Sequence, residues 1–209
     1  VAKATGDNKY KDIAIKHAMT TMNNHFRPDY TCWHVVSYNN DGTVEKKQTF
    51  QGKNDDSSWA RGQAWAVYGY TACYRETKDT TFLNFAVKVA DMIMERVKTD
   101  DAIPYWDYDA PVTDETPRDA SAASVTASAL IELSTMVPDG NKYLDYAEQI
   151  LKSLSSDAYL AKIGENQGFI LMHSTGSLPN GSEIDTPLNY ADYYYLEALK
   201  RYKEIKANG

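Results

Sequence analysis

Apolar positions recur with helical spacing in three segments that look alike: TGDNKYKDIAIKHAMTTM from Thr5, TKDTTFLNFAVKVADMIM from Thr77 and PDGNKYLDYAEQILKSLS from Pro138. Each places an aromatic residue four positions before an alanine, as Tyr10/Ala14, Phe82/Ala86 and Tyr143/Ala147. Each follows a short polar turn and continues as an amphipathic helix. An interval of about 60 to 70 residues, with two helices apiece, predicts stacked helical hairpins.

Between the repeats the pattern predicts helices of another character, Ser57 to about Lys78, Thr116 to about Val137, and Thr186 to about Ala207. The first two are rich in small residues, as in RDASAASVTASAL, which marks them as inner-layer helices approached closely by their neighbours. Thr116-Pro117 and Thr186-Pro187 each set a capping hydroxyl before a proline at the first helical position, and Asp56 or Ser57 serves as the other cap. Short turns at one end then alternate with long loops at the other, spanning Phe26 to Asp56, Thr99 to Glu115 and Asp157 to Asp185. In the first loop, CWHVVSY and VEKKQTF flank Asn39-Asn40-Asp41-Gly42 as a β-hairpin. All three loops lead to inner-helix N-termini, so three positive dipole ends are expected on one rim, favouring a carboxylate or sulfate. VAKATG at the start reads as the tail of a helix stopped by Gly6, so the natural protein is expected to begin well upstream.

Composition narrows the field. The 209 residues are 43% hydrophobic and 24% charged, as in a folded domain, and the surplus lies in 16 tyrosines and four tryptophans. A net charge of −7 argues against nucleic acid as a partner, because phosphate binding needs a basic surface. No apolar run approaches membrane-spanning length, so membrane insertion is not expected. Cys32 and Cys73 lack CxxC spacing, so neither a zinc site nor a disulfide framework is indicated. The compartment stays open between periplasm and cytoplasm.

The densest aromatic and charged cluster is SSWARGQAW, Ser57 to Trp65. At 100° per residue Arg61 and Trp65 share a helical face, with Tyr68 beyond, while Trp59 and Gln63 lie roughly opposite. A guanidinium beside an indole offers a carboxylate clamp and a ring-stacking surface together. The alternative is that Arg61 pairs with an internal acid and both indoles belong to the core.

The run QGKNDDSSWARGQAWAVYGYTACYRETKD, the segment PYWDYDAP followed by PRDASAASVTASALIELS, and the end GSEIDTPLNYADYYYLEALKRY resemble the unsaturated glucuronyl hydrolases, glycoside hydrolase family 88, over nearly the whole chain. The resemblance implies an all-α fold, part of an (α/α)6 barrel with one small β-hairpin in a long loop, and makes residues 1–209 the C-terminal portion of a single domain. It implies removal of a 4,5-unsaturated uronic acid from the non-reducing end of oligosaccharides released by polysaccharide lyases, without metal or cofactor. By motif match Trp59, Arg61 and Trp65 are pocket residues, Gln51 lies near the unsaturated ring, and His34 of the WHVVSY strand is a pocket histidine. Arg61 would hold the uronate, the indoles would stack on the sugar, and Gln51 and His34 would hydrogen-bond hydroxyls or the attacking water. His173, Ser174 and Ser177, in a loop rich in hydroxyls and free of Lys and Arg, would face the second sugar.

The sequence departs from the family in one respect. Relatives carry two aspartates upstream, one in an Asp-Asn-Met-Met-like motif on the helix that runs into VAKATG, and neither motif is present, so no catalytic residue is assigned within the chain. Asp107, Asp109, Asp119 and Asp55 or Asp56 are the internal acids weighed as substitutes; capping and turn chemistry account for most of them. An upstream segment or a partner chain is expected to complete the barrel. An unsaturated rhamnogalacturonyl hydrolase of similar fold and a noncatalytic helical repeat that binds carbohydrate or protein are the competing readings.

Overall fold

The computed structural model describes Val1 to Asn208. Its elements run α1 (Ala2–Thr5), α2 (Lys9–Asn24), β1 (Val35–Tyr38), β2 (Val44–Gln48), α3 (Ala60–Thr77), α4 (Thr80–Arg96), α5 (Ala120–Ser134), α6 (Asn141–Leu154) and α7 (Asn189–Asn208). α1 ends at Gly6, whose left-handed φ of 71° returns its N–H to Ala2 O, as the sequence predicts.

α5 is the axis of the structure. All of its residues except Glu132 and Ser134 are buried, and it packs against α3, α6 and α7. Its alternation of alanine and serine makes this possible, because short side chains let three helices close on one. Ser124 returns its hydroxyl to Ala120 O, so one of those buried polar groups is satisfied within the helix itself. The outer helices are one-sided. α6 buries Tyr143, Ala147, Ile150, Leu151 and Leu154, a stripe at helical spacing, and α4 buries Phe82, Ala86, Val89, Ala90, Met92 and Ile93 behind an Asp79 cap that accepts from Thr81 N at 2.9 Å. The aromatic–alanine pair read from the repeat is thus the inward face of α4 and α6. α2 buries only Ala18, and it leaves Ile13 64% exposed; at the other edge α7 leaves Tyr193 and Leu196 more than half exposed.

Away from the long loops, α3, α5 and α7 are joined by charge. Arg75 grips both oxygens of Glu132, at 2.7 and 2.8 Å, Arg201 reaches Glu132 at 3.0 Å, and Ser128 donates to Glu197 at 2.5 Å. No helix among the described residues is long and apolar enough to cross a membrane.

The hairpin forms as the turn residues predict: β1 and β2 pair antiparallel from Val35↔Gln48 to Tyr38↔Val44, with an irregularity after Ser37, and Gly42 adopts φ 86°. The predicted helix starts are displaced. Pro117 and Pro187 do not open helices, because the chain before each is held extended: Trp106 N donates to Pro117 O at 3.1 Å, and Thr186 pairs with Ser174. α5 begins after Asp119, whose carboxylate accepts from Ser121 N at 3.0 Å. α3 begins after Trp59, and Ser57 is drawn off to Asp107 at 2.7 Å instead of capping.

Ala127 is fully buried on the crowded axis. Ala127→Leu is expected to destabilise the protein by about 1–3 kcal/mol through overpacking, read as a lower urea midpoint with an unchanged slope.

Candidate functional site

The three long connections meet at the N-terminal ends of α3, α5 and α7, as expected. Some of their backbone donors are already engaged. Ala60 N donates to Trp106 O, Ala120 N to His173 O, and Ser121 N to Asp119, so protein acceptors take up part of the donor set that an external anion would use at α3 and α5.

Arg61 occupies the centre of this rim and is 2% exposed. Its Nη1 donates to Asp119 Oδ2 at 2.7 Å, to Thr175 O at 2.7 Å and to Ser121 Oγ at 3.1 Å, while Nη2 donates to Gly176 O at 2.7 Å. Its carbon centre lies 4.5 Å from the Trp59 ring and 5.4 Å from that of Tyr190. The carboxylate clamped by Arg61 is therefore Asp119, itself fully buried, which is the internal-acid arrangement left open by helical spacing. The guanidinium thus already holds one internal carboxylate, and Nη1 has no position left for a ligand carboxylate.

Trp59 precedes the helix in an extended conformation, so the helical wheel misplaces it: it lies beside Arg61, not opposite. The indole is 7% exposed and carries the His34 ring stacked at 4.3 Å and 27°. Gly62 lies close beneath it: a Cβ there would stand 3.1 Å from the indole, which would have to shift by a few tenths of an ångström. Gln63 is the residue that sequence reasoning misses. Fully buried, it accepts from Cys32 N at 2.8 Å and donates to Cys32 O and Trp59 O, fastening the segment that carries His34, just before β1, to the first turn of α3. The spacing of Gln63 carries no sign of this, since its partner is 31 residues away.

His34 Nδ1 accepts from Phe50 N at 3.2 Å and Gln51 N at 3.1 Å, so the imidazole is neutral with its proton on Nε2. Burial, and secondarily the positive field of Arg61, hold its pKa below the ordinary 6.5. With His34 so oriented, its ring and those of Trp59 and Trp65 line one cavity of about 420 Å³ between α2 and α3, shared with Trp33, His25 and Gly62. Trp65 is half-buried and meets Tyr194 of α7 edge-on at 5.2 Å. Burial raises the Cys32 thiol to about 12, so it is no nucleophile.

Gln51 does not line that cavity; its amide donates to Gly176 O at 2.8 Å, the same carbonyl that Arg61 holds. Ser174 is fully buried and its hydroxyl finds no partner among the described residues, and Ser177 is 8% exposed with its hydroxyl accepting from Asn180 at 2.6 Å. Neither faces outward as a second-sugar contact requires, because residues 174–177 form a strap paired with 182–186. His173 is exposed and paired with Asp185 at 2.6 Å. Of the internal acids weighed from the sequence, Asp56 is exposed and the others are occupied. Asp107, 1% exposed, accepts from Lys53 N, Ser57 Oγ and Asp109 N; Asp109 pairs with Arg96 at 2.7 Å; and Asp55 accepts from Thr49 N.

No family model matches the chain. A protein of Formosa agariphila named unsaturated glucuronyl hydrolase is 48% identical over 205 residues, which are 97% of this chain and 51% of that protein. A crystal structure of an unsaturated glucuronyl hydrolase specific for heparin superposes with a TM-score of 0.96 at 57% identity, over 99% of this chain and 56% of that one. The chain belongs to the unsaturated glucuronyl hydrolase family. Its helices are accordingly part of an α/α barrel. The chain spans about half the length of the family members it matches. Among them, a mutant of the Streptococcus agalactiae unsaturated glucuronyl hydrolase, with a TM-score of 0.86 at 32% identity over 97% of this chain and 55% of that one, was solved in complex with dGlcA-GalNAc6S.

The depressed pKa of His34 means that the folded state binds fewer protons than the unfolded chain. Its contribution to stability is thus fully present above the unfolded value near 6.5 and is lost as pH falls through the folded value. An NMR titration of the His34 ring is expected to give a midpoint below 6.5, and His34→Gln to flatten that limb of the stability profile.

Proposed function

We propose that the whole protein removes the 4,5-unsaturated uronic acid from the non-reducing end of lyase-generated, glycosaminoglycan-type oligosaccharides, and that this chain supplies the sugar-holding wall. The observation that carries the reading is the convergence of His34, Trp59 and Trp65 on one cavity in a chain 48% identical to an unsaturated glucuronyl hydrolase. The reaction is hydration of a vinyl ether: an acid protonates C4, water adds at C5, and the resulting hemiketal rearranges and breaks the glycosidic link.

In this arrangement Trp65 stacks on the sugar ring and Nε2–H of neutral His34 donates to a ring substituent. Trp59 backs His34. Arg61 contributes positive potential from beneath and fixes the strap to which Gln51 is tied, so its role differs from the direct clamp expected from sequence. His173, beside its Asp185 partner, is the member of the second-sugar loop with accessible surface. We assign the proton donor to none of the five acids weighed from the sequence, since Asp107 and Asp119 are buried and bonded, Asp55 and Asp109 are engaged in loop contacts, and Asp56 is exposed and does not line the cavity. The exposed apolar residues of α2 and α7 support closure of the barrel by further helices, from the same polypeptide or a partner chain.

The full-length protein is expected to abolish the ultraviolet absorbance of the double bond in unsaturated chondroitin, heparin or hyaluronan disaccharides. Absorbance loss only with unsaturated rhamnogalacturonan disaccharide would favour the rhamnogalacturonyl reading, and none with any substrate the noncatalytic one. Trp65→Ala is expected to raise KM roughly tenfold, equivalent to about 1.4 kcal/mol of lost stacking.

A further inference from the structure

Asp119 caps α5 and is clamped by Arg61, so its contacts exceed what a cap needs. Oδ1 accepts from Ser121 N at 3.0 Å and Ser121 Oγ at 2.5 Å, which completes the capping of α5. Oδ2 is left for Arg61 at 2.7 Å, in a pair whose side chains are 0% and 3% exposed. A surface aspartate would cap as well, so the burial and the second partner call for a separate account. Arg61 passes the constraint on. Held by Asp119, it donates to Thr175 O and Gly176 O, and Gly176 O is also the acceptor of the Gln51 amide at 2.8 Å. The strap is also fixed on its other sides: Gly176 lies so close to Glu183 that a Cβ there would come within 2.6 Å of that residue's own, and Thr175 Oγ1 donates to Arg118 O at 2.9 Å. Gln51 N in turn donates to His34 Nδ1. A single hydrogen-bonded path thus runs from Asp119 through Arg61 and Gly176 O to Gln51 and His34.

We propose that Asp119 is a positioning residue of the sugar site, setting the Gln51 amide and the His34 ring through the Arg61 guanidinium and the Gly176 carbonyl. The inference rests on the hydrolase reading above and adds to it the residue that orients the polar contacts. A residue that acts through Gln51 has nothing left to act on once the Gln51 amide is gone, whereas a residue needed only for folding lowers activity in either background.

A double-mutant cycle in the full-length protein separates the two, with kcat/KM on an unsaturated chondroitin disaccharide as the readout. Asp119→Asn keeps the shape and a capping oxygen while removing the charge that holds Arg61. Asp119→Asn and Gln51→Ala are each expected to lower kcat/KM about 10- to 100-fold, the scale of a hydrogen bond to a charged group. The double mutant is expected to fall within about threefold of the weaker single mutant, showing strong coupling. Multiplying effects, or an Asp119→Asn variant with wild-type kcat/KM, would overturn the relay while leaving the hydrolase reading intact. A wild-type protein without turnover would overturn both. If Asp119→Asn does not fold, Ser121→Ala, which removes the hydroxyl shared by Asp119 and Arg61, takes its place in the same cycle: a smaller loss that vanishes in the Gln51→Ala background is expected, and a loss that persists there overturns the proposal.

Discussion

The rim of this helical array depends on one ion pair, Arg61 with Asp119, withdrawn from water between the ends of α3 and α5. An isolated buried charge is too costly to persist, so a guanidinium in this position must be surrounded by acceptors. It is: a carboxylate, a hydroxyl and two carbonyls converge on it, and two of those acceptors belong to the otherwise irregular strap of residues 174–177. The need to satisfy Arg61 therefore draws a distant loop onto the inner helices. Removing one partner leaves the other buried and unmatched, so the arrangement assembles as a unit.

Much of the fold was legible because it rests on periodicity. The Phe82/Ala86 and Tyr143/Ala147 pairs are inward faces of α4 and α6, and the alanine and serine run is the crowded axis, since small side chains have little reason to recur at that density except close packing. The hairpin was legible from its turn, where Gly42 takes the left-handed conformation. The helix starts at Pro117 and Pro187 were not. Capping statistics describe an isolated helix end, whereas here the preceding residues are held extended by strand-like pairing with segments far along the chain.

For the candidate site, composition and motif pick out residues that lie near one another but do not give their orientation. His34, Trp59 and Trp65 do share a cavity. Arg61 turns inward, because helical spacing fixes the direction of a side chain and not which partner waits at its end. Trp59 was misplaced by treating it as helical when it lies one residue before the helix. Gln63 and Asp119 act through contacts 31 and 58 residues away, and single-sequence patterns contain no term for such distances.

The cavity has walls of unequal stiffness. On one side stand α3 and the segment bearing His34, clamped by Gln63; on the other stands α2, whose only buried residue is Ala18, with Tyr70 Oη donating to Ala18 O at 3.0 Å. Thermal fluctuation concentrates where few apolar contacts must break. Within the described residues α2 is the less anchored wall, so its distance from Trp65, and with it the width of the cavity, depends on what packs against its exposed apolar face.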